Sequence, residues 1–97
     1  MRITYSPRAI ADLKAISAYL RPRSRQGAQS VRSAIRRTIE QLEHFPKAGT
    51  PQRAANLRKL VTRRYPYLIY YAVDELAGEV IVVTIQHAAK RREHDDA

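Results

Sequence analysis

The chain of 97 residues contains no cysteine, so neither a disulfide framework nor a thiolate metal site holds it together. A reducing cytoplasm is the expected compartment. Glycine is scarce: the three, at positions 27, 49 and 78, lie far apart, which excludes a glycine-rich loop for phosphate. No apolar run approaches the ~20 residues of a membrane helix, and the opening MRITYSPRAI has none long enough for a signal peptide. No membrane association is expected. His44, His87 and His94 make no histidine–carboxylate pair at metal spacing, and the acids ahead of the C-terminal tail sit on helices (Asp12, Glu40, Glu43) or around a turn (Asp74, Glu75, Glu79). A metal-dependent nuclease gathers carboxylates at strand ends, so neither that chemistry nor any cofactor is expected.

Acid is scarce too, with 9 Asp+Glu against 18 Lys+Arg and a formal net charge of +9. None lies between Asp12 and Glu40, where Lys14, Arg21, Arg23, Arg25, Arg32, Arg36 and Arg37 fall. None lies between Glu43 and Asp74 either, where Lys47, Arg53, Arg58, Lys59, Arg63 and Arg64 fall. Such a surface attracts polyanions or an acidic protein, with binding that weakens in salt. The plainer alternative is a solvated basic face with no dedicated ligand.

With 44% apolar residues, the chain supports one small domain over residues 1–97, built as one sheet with one helical layer. RITY alternates as a short opening strand. Ser6 is a helix cap and Pro7 stands where its missing N–H costs nothing. Ile10, Leu13, Ile16 and Leu20 then form an apolar stripe flanked by Ala9 and Ser17, and Pro22 stops the helix. After the basic turn RPRSRQG, with Ser24 as cap, a second helix carries Ala28, Val31, Ile35, Ile39 and Leu42 until Pro46. Two helices joined so briefly form an antiparallel hairpin. Residues 45–56 read as the one real loop. A β-meander follows, with Leu57 and Val61 on one face of its first strand and Leu60 on the other. ELAG makes a turn in which Gly78 takes a positive φ. EVIVVTIQ is apolar enough to be flanked by strands on both sides, and the opening strand is the one left to pair with it. The expected fold is α+β with two layers: β-α-α-β-β-β, a helical hairpin on a mostly antiparallel sheet, first strand beside the last. Residues 93–97 read as a frayed tail.

Four of the six tyrosines lie in RRYPYLIYYAVD, residues 63–74. Alternation puts Tyr67, Ile69, Tyr71 and Val73 on the helix-facing side, their hydroxyls reaching the rim. Leu68, Tyr70 and Ala72 form the other face, too aliphatic for base stacking but suited to a partner's apolar side chains, with Tyr70 as its exposed aromatic. A metal-free ribonuclease would draw on Arg58, Arg63, Arg64, His87, Lys90 and Arg91 as cations and proton carriers. For His87, at the end of the last strand, a capping role is the commoner one.

In order and spacing, YSPRAIADLKAISAYL, QLEHFPKAG, LRKLVTRRYPYLIYYAVD and VIVVTIQHAAKRR resemble the RelE/ParE superfamily of bacterial toxins from toxin–antitoxin systems, over residues 3 to 92. RelE-like members cut mRNA on the ribosome with basic residues on the sheet and often a late tyrosine or histidine. ParE-like members poison DNA gyrase on the same scaffold. Anchored on Tyr71, Val73 and Asp74, the position where the ribonuclease branch tends to place a sheet arginine holds Leu68. No tyrosine follows His87, and HAAKR resembles a ParE-like ending. The resemblance thus implies a cytoplasmic ParE-like gyrase inhibitor, neutralised in a hetero-oligomer by an acidic antitoxin whose C-terminal segment wraps it. Leu68, Tyr70, Arg32, Arg36 and Arg37 are the expected antitoxin contacts; Arg58, Arg63, Arg64, His87, Lys90 and Arg91 are the expected target contacts. The alternatives are a ribosome-dependent mRNA interferase using those same six residues, or a non-toxic scaffold that only binds the antitoxin.

Overall fold

Ser6 sets the first corner of the molecule. In the computed structural model, which describes residues 1–54 and 56–89, its hydroxyl accepts the N–H of Ala9 at 3.0 Å and donates to the Val83 carbonyl at 2.7 Å. The cap therefore starts a helix and ties it to a strand. The chain enters as β1 (Arg2–Tyr5) and turns into α1 (Pro7–Leu20), with Pro7 in the first helical turn. Ser24 caps α2 (Arg25–Glu40) through the Gly27 N–H at 2.9 Å. The helix was expected to run to Leu42. It instead tightens at Gln41–Glu43 into a 3-10 turn that keeps Leu42 fully buried while redirecting the chain.

Then come β2 (Thr50–Pro51), β3 (Leu57–Val61), β4 (Tyr67–Asp74) and β5 (Glu79–His87). The sheet order is β1-β5-β4-β3-β2. β1 runs parallel to β5 and the other neighbours are antiparallel. This is the expected two-layer α+β architecture with β1 beside β5. The 45–56 loop contributes one strand more than the sequence suggested: Thr50 and Pro51 pair with Lys59 and Arg58. A two-residue edge strand has no periodicity to read, and its proline blunts the edge. Gly78 adopts φ +66°, as the turn before β5 demands.

The core lies between the helical hairpin and one face of the sheet. Val31, Ile35 and Ile39 of α2 meet Tyr67, Ile69, Val82 and Ile85, while Leu42, Tyr71 and Val80 form a second cluster. Leu60 packs against both, whereas Val61 points away and is exposed. On α1 the expected stripe packs on the core at Leu13, Ile16 and Leu20 but not at its first position. Ala9 is fully buried, and Ile10 is 44% exposed. A small residue at the contact allows α1 to approach β5 closely.

Between Tyr70 and Tyr71 the β4–β5 register slips, so that Tyr70 faces Thr84 and Tyr71 faces Val82. The extra residue, Val83, is a bulge. It moves the inward alternation from Val80 and Val82 to Ile85. β1 pairs with β5 only as far as Val82. Beyond that point α1 takes over the edge: the Asp12 Oδ2 accepts from the Thr84 hydroxyl at 2.5 Å and the Ile85 N–H at 3.0 Å.

At the other end of β1, the Thr4 hydroxyl donates to Glu79 Oε1 at 2.6 Å and Arg2 Nη2 lies 3.1 Å from Oε2. The Thr4 hydrogen bond, and after it Arg2, hold the Glu79 carboxyl below its ordinary value. A carboxylate whose pKa is depressed by folding stabilises above the unfolded value and loses that contribution as pH falls through the folded one. Glu79→Gln should therefore melt below the wild type at neutral pH, and the gap should close on acidification past the unfolded value near 4.5. Paired thermal melts across that range check this; a gap constant with pH would show that the charge plays no part.

Candidate functional site

Two surfaces offer chemistry. The first is a groove of about 680 Å³ between α1 and α2. Its floor is apolar, from Leu13, Ile35 and Ile39, and its rims carry Lys14, Arg21, Arg32 and Arg36. No acid lines it. The Ser17 hydroxyl is buried there without a hydrogen-bond partner among the described residues. Tyr5 closes one end, its hydroxyl pushed above the ordinary value by burial and then by Glu40, with Arg36 acting in the opposite sense. Arg36 lies 3.9 Å from Glu40 on the exposed side of α2, a separation that contributes little in water. Arg37 is exposed on α2 but lies outside the groove lining. An apolar floor between cationic rims suits an amphipathic segment with acids along its edges.

The second surface is the sheet with its connecting loops, where six cations or proton carriers were expected. Arg58 has another task. Its Nη1 donates to the Gly49 carbonyl at 2.8 Å and to that of Lys47 at 3.2 Å. Beside it the Tyr71 hydroxyl, instead of reaching the rim, is sealed beneath the same loop. It accepts the Gly49 N–H and donates to the Pro46 carbonyl, each at 2.8 Å. Burial raises the Tyr71 pKa, partly offset by the Gly49 N–H and Arg58. Gly49 is buried so tightly that a Cβ there would lie 2.7 Å from the tyrosine oxygen and 2.9 Å from the Lys59 carbonyl. Arg58 and Tyr71, cross-strand partners, thus brace the 46–49 loop together.

Arg63 and Arg64 are exposed in the β3–β4 turn. His87 ends β5 opposite Tyr67, which brings it to the same end of the sheet as that turn. Arg58 pairs further along β4 and does not join them. The His87 Nδ1 accepts the Ala89 N–H at 3.1 Å, and its ring stands edge-on to Tyr67 with centroids 5.2 Å apart. Accepting at Nδ1 puts the neutral ring's proton on Nε2. The expected capping role is therefore present. Lys90 and Arg91, and the tail expected at 93–97, lie outside the described residues.

Leu68 and Tyr70 require a correction. Alternation places them away from the hairpin, as expected, but each is only 7% exposed within the chain itself. Tyr70 is not a free surface aromatic. The open part of that face lies further along, where Leu57, Ala72 and Ile81 line a second cavity of about 660 Å³. Leu76 at its margin is fully exposed, and Lys47 and Glu75 pair there at 3.1 Å. The sequence carried no signal for this cavity, since it depends on the fold of the 45–56 loop. Among the described residues no helix is long and apolar enough to cross a membrane.

Residues 3–92 match a family model described as the ParE toxin of type II toxin–antitoxin systems, parDE. "Toxin RelE2" of Caulobacter vibrioides is 35% identical over 89 residues, covering 92% of this chain and 97% of that one. "Putative toxin Y4kP" of Sinorhizobium fredii is 31% identical over 87 residues, 90% of this chain and 88% of that one. Among solved structures, a chain of the chromosomal ParDE system of P. aeruginosa superposes with a TM-score of 0.66 at 22% identity, over 90% of this chain and 95% of that one.

Proposed function

Because this chain belongs to the ParE family of toxins from type II toxin–antitoxin systems, we propose that it stops growth by binding DNA gyrase without cutting RNA, and that a cognate antitoxin silences it. One observation carries the choice of target: among the described residues, two of the groups a metal-free ribonuclease would draw on, Arg58 and the His87 Nδ1, are already engaged. Arg58 is held by two loop carbonyls, the His87 Nδ1 is occupied by a backbone N–H, and Leu68 stands where a sheet cation was wanted. A crowded phosphorane needs preorganised cations around it and a proton carrier in reach. Arg63, Arg64 and the outer edge of His87 remain as contacts for a protein target. Titrated into purified gyrase, the chain should inhibit supercoiling at micromolar concentration while primer extension on translated mRNA shows no new ends. Unaffected gyrase, together with cleavages at codon boundaries that vanish on Arg63→Ala or His87→Ala, would establish the interferase reading, which the 35% identity to a protein called RelE2 favours.

The antitoxin's acidic segment is assigned to the groove, its apolar side chains on Leu13, Ile35 and Ile39 and its carboxylates against Arg32 and Arg36. Arg37, off the groove, contributes only to the field around it. Reversing both charges, Arg32→Glu with Arg36→Glu, sets acid against acid at a cost of several kcal/mol. Affinity for the antitoxin, measured by calorimetry, should fall at least about a hundredfold, whereas Arg37→Glu should lower it by less than about tenfold. Equal losses from the two variants would remove the groove from the account.

A further inference from the structure

We propose that the tip of the helical hairpin binds single-stranded nucleic acid, stacking a base on Tyr19 and neutralising the flanking phosphates with Arg21 and Arg25. Tyr19, in the last turn of α1, is 61% exposed. The Arg23 guanidinium carbon lies 3.8 Å from its ring centroid, and Arg23 Nη1 donates to the Tyr19 carbonyl at 2.6 Å. One face of the ring is thus closed by a cation, which leaves the other face and the hydroxyl edge to account for its exposure. A base laid on that open face would complete a column of base, ring and guanidinium, the arrangement single-strand binders use. Ring and guanidinium are already held by a turn that Pro22 and the Ser24 cap restrain, so little side-chain freedom would be lost on binding.

Charge points the same way. Arg21, Arg23 and Arg25 are all exposed, and the chain has no acid from residue 13 to residue 39. An acidic protein segment would also be attracted, but it needs apolar surface to bury. Beyond Tyr19 the tip exposes only Pro22 and part of Leu20, and the larger apolar floor lies further down the groove at Leu13 and Ile35. Capping the end of α1 through the Tyr19 carbonyl explains why Arg23 is where it is. It gives no reason for an aromatic ring to be presented beneath the guanidinium. The proposal does not depend on which enzyme the toxin inhibits.

Fluorescence anisotropy with a labelled thymidine strand of about 20 nucleotides and the matching duplex, in salt from about 50 to 250 mM, tests it. The single strand should bind more tightly than the duplex, with log Kobs falling linearly in log salt. Arg21→Ala with Arg25→Ala should flatten that slope by about 1.4, at about 0.7 per phosphate contact. Tyr19→Ala should weaken binding about 5- to 150-fold without changing the slope. Tyr19→Phe should keep the affinity and Tyr19→Leu should not, with thermal melts reporting that each variant is folded. Arg8→Ala with Arg53→Ala removes the same charge elsewhere on the surface and should change affinity less than about twofold. The proposal is overturned if that control pair loses as much as the tip pair, or if Tyr19→Leu binds like wild type. Displacement of the strand by polyglutamate at equal charge concentration would also overturn it, and would make the tip a surface for acidic protein.

Discussion

Replacing Tyr71 by phenylalanine should lower the unfolding free energy by about 2–4 kcal/mol, although the change removes one oxygen atom from the chain. The hydroxyl lies in a fully buried side chain and serves two backbone groups, the N–H of Gly49 and the carbonyl of Pro46. Without it the buried N–H loses its partner at about 1–3 kcal/mol, and the half-buried carbonyl adds about 1 kcal/mol. The upper end of that range applies if the loop stays closed and dry, the lower end if it opens to water. Urea unfolding of Tyr71→Phe measures the cost. Gly49→Ala is the companion from the other side, because its methyl group would meet the tyrosine oxygen at 2.7 Å and backbone at 2.9 Å. Overpacking of that kind costs about 1–3 kcal/mol. The double variant should destabilise by less than the sum, since both act on one contact. A Tyr71→Phe protein as stable as wild type would mean that the loop is held by Arg58 alone.

Asp12→Ala should destabilise by a similar amount, about 2–4 kcal/mol. The carboxylate is the acceptor for the Thr84 hydroxyl and the Ile85 N–H, on the stretch of β5 that β1 does not reach. Hydrogen bonds to a charged group contribute about 1.5–3 kcal/mol each, and alanine leaves both donors without an acceptor; their partial exposure to water brings the sum down to about 2–4 kcal/mol. Asp12→Asn can set a neutral oxygen where Oδ2 accepts both bonds, losing the charge but not the acceptor, and should lose roughly half as much. A second readout follows from the sheet. With its substitute for an edge partner gone, β5 presents an unpaired N–H to other chains, so the alanine variant should also aggregate sooner on heating. Equal stability of the alanine and asparagine variants would show that the carboxylate is not the edge's acceptor.

Both predictions rest on groups whose partners lie far away in the chain, and that separates what could be read from what could not. Ser6, Pro7, Pro22 and Ser24 punctuate the helices through contacts within four residues, so their roles are written locally. Tyr67, Ile69, Tyr71 and Val73 face the helices because a strand alternates, and β1 joins β5 because an apolar central strand requires a neighbour on each side. Arg58 and Asp12 are different. In sequence they are one arginine among many and a lone acid on a helix. Arg58 is drawn into the loop by carbonyls 9 and 11 residues away, and Asp12 meets β5 across 72 and 73 residues.

Leu68 and Tyr70 teach the same point for burial: the pattern told which face they take, but not whether that face is covered. Residue order and spacing alone determined the two-layer plan, the sheet order apart from the short β2 edge, the helix limits to within a turn and the toxin family. The tertiary structure alone decided which charges are free to meet a partner. Periodicity and caps act between residues close in the chain, whereas a charged group's availability depends on whichever unpaired backbone groups folding brings beside it.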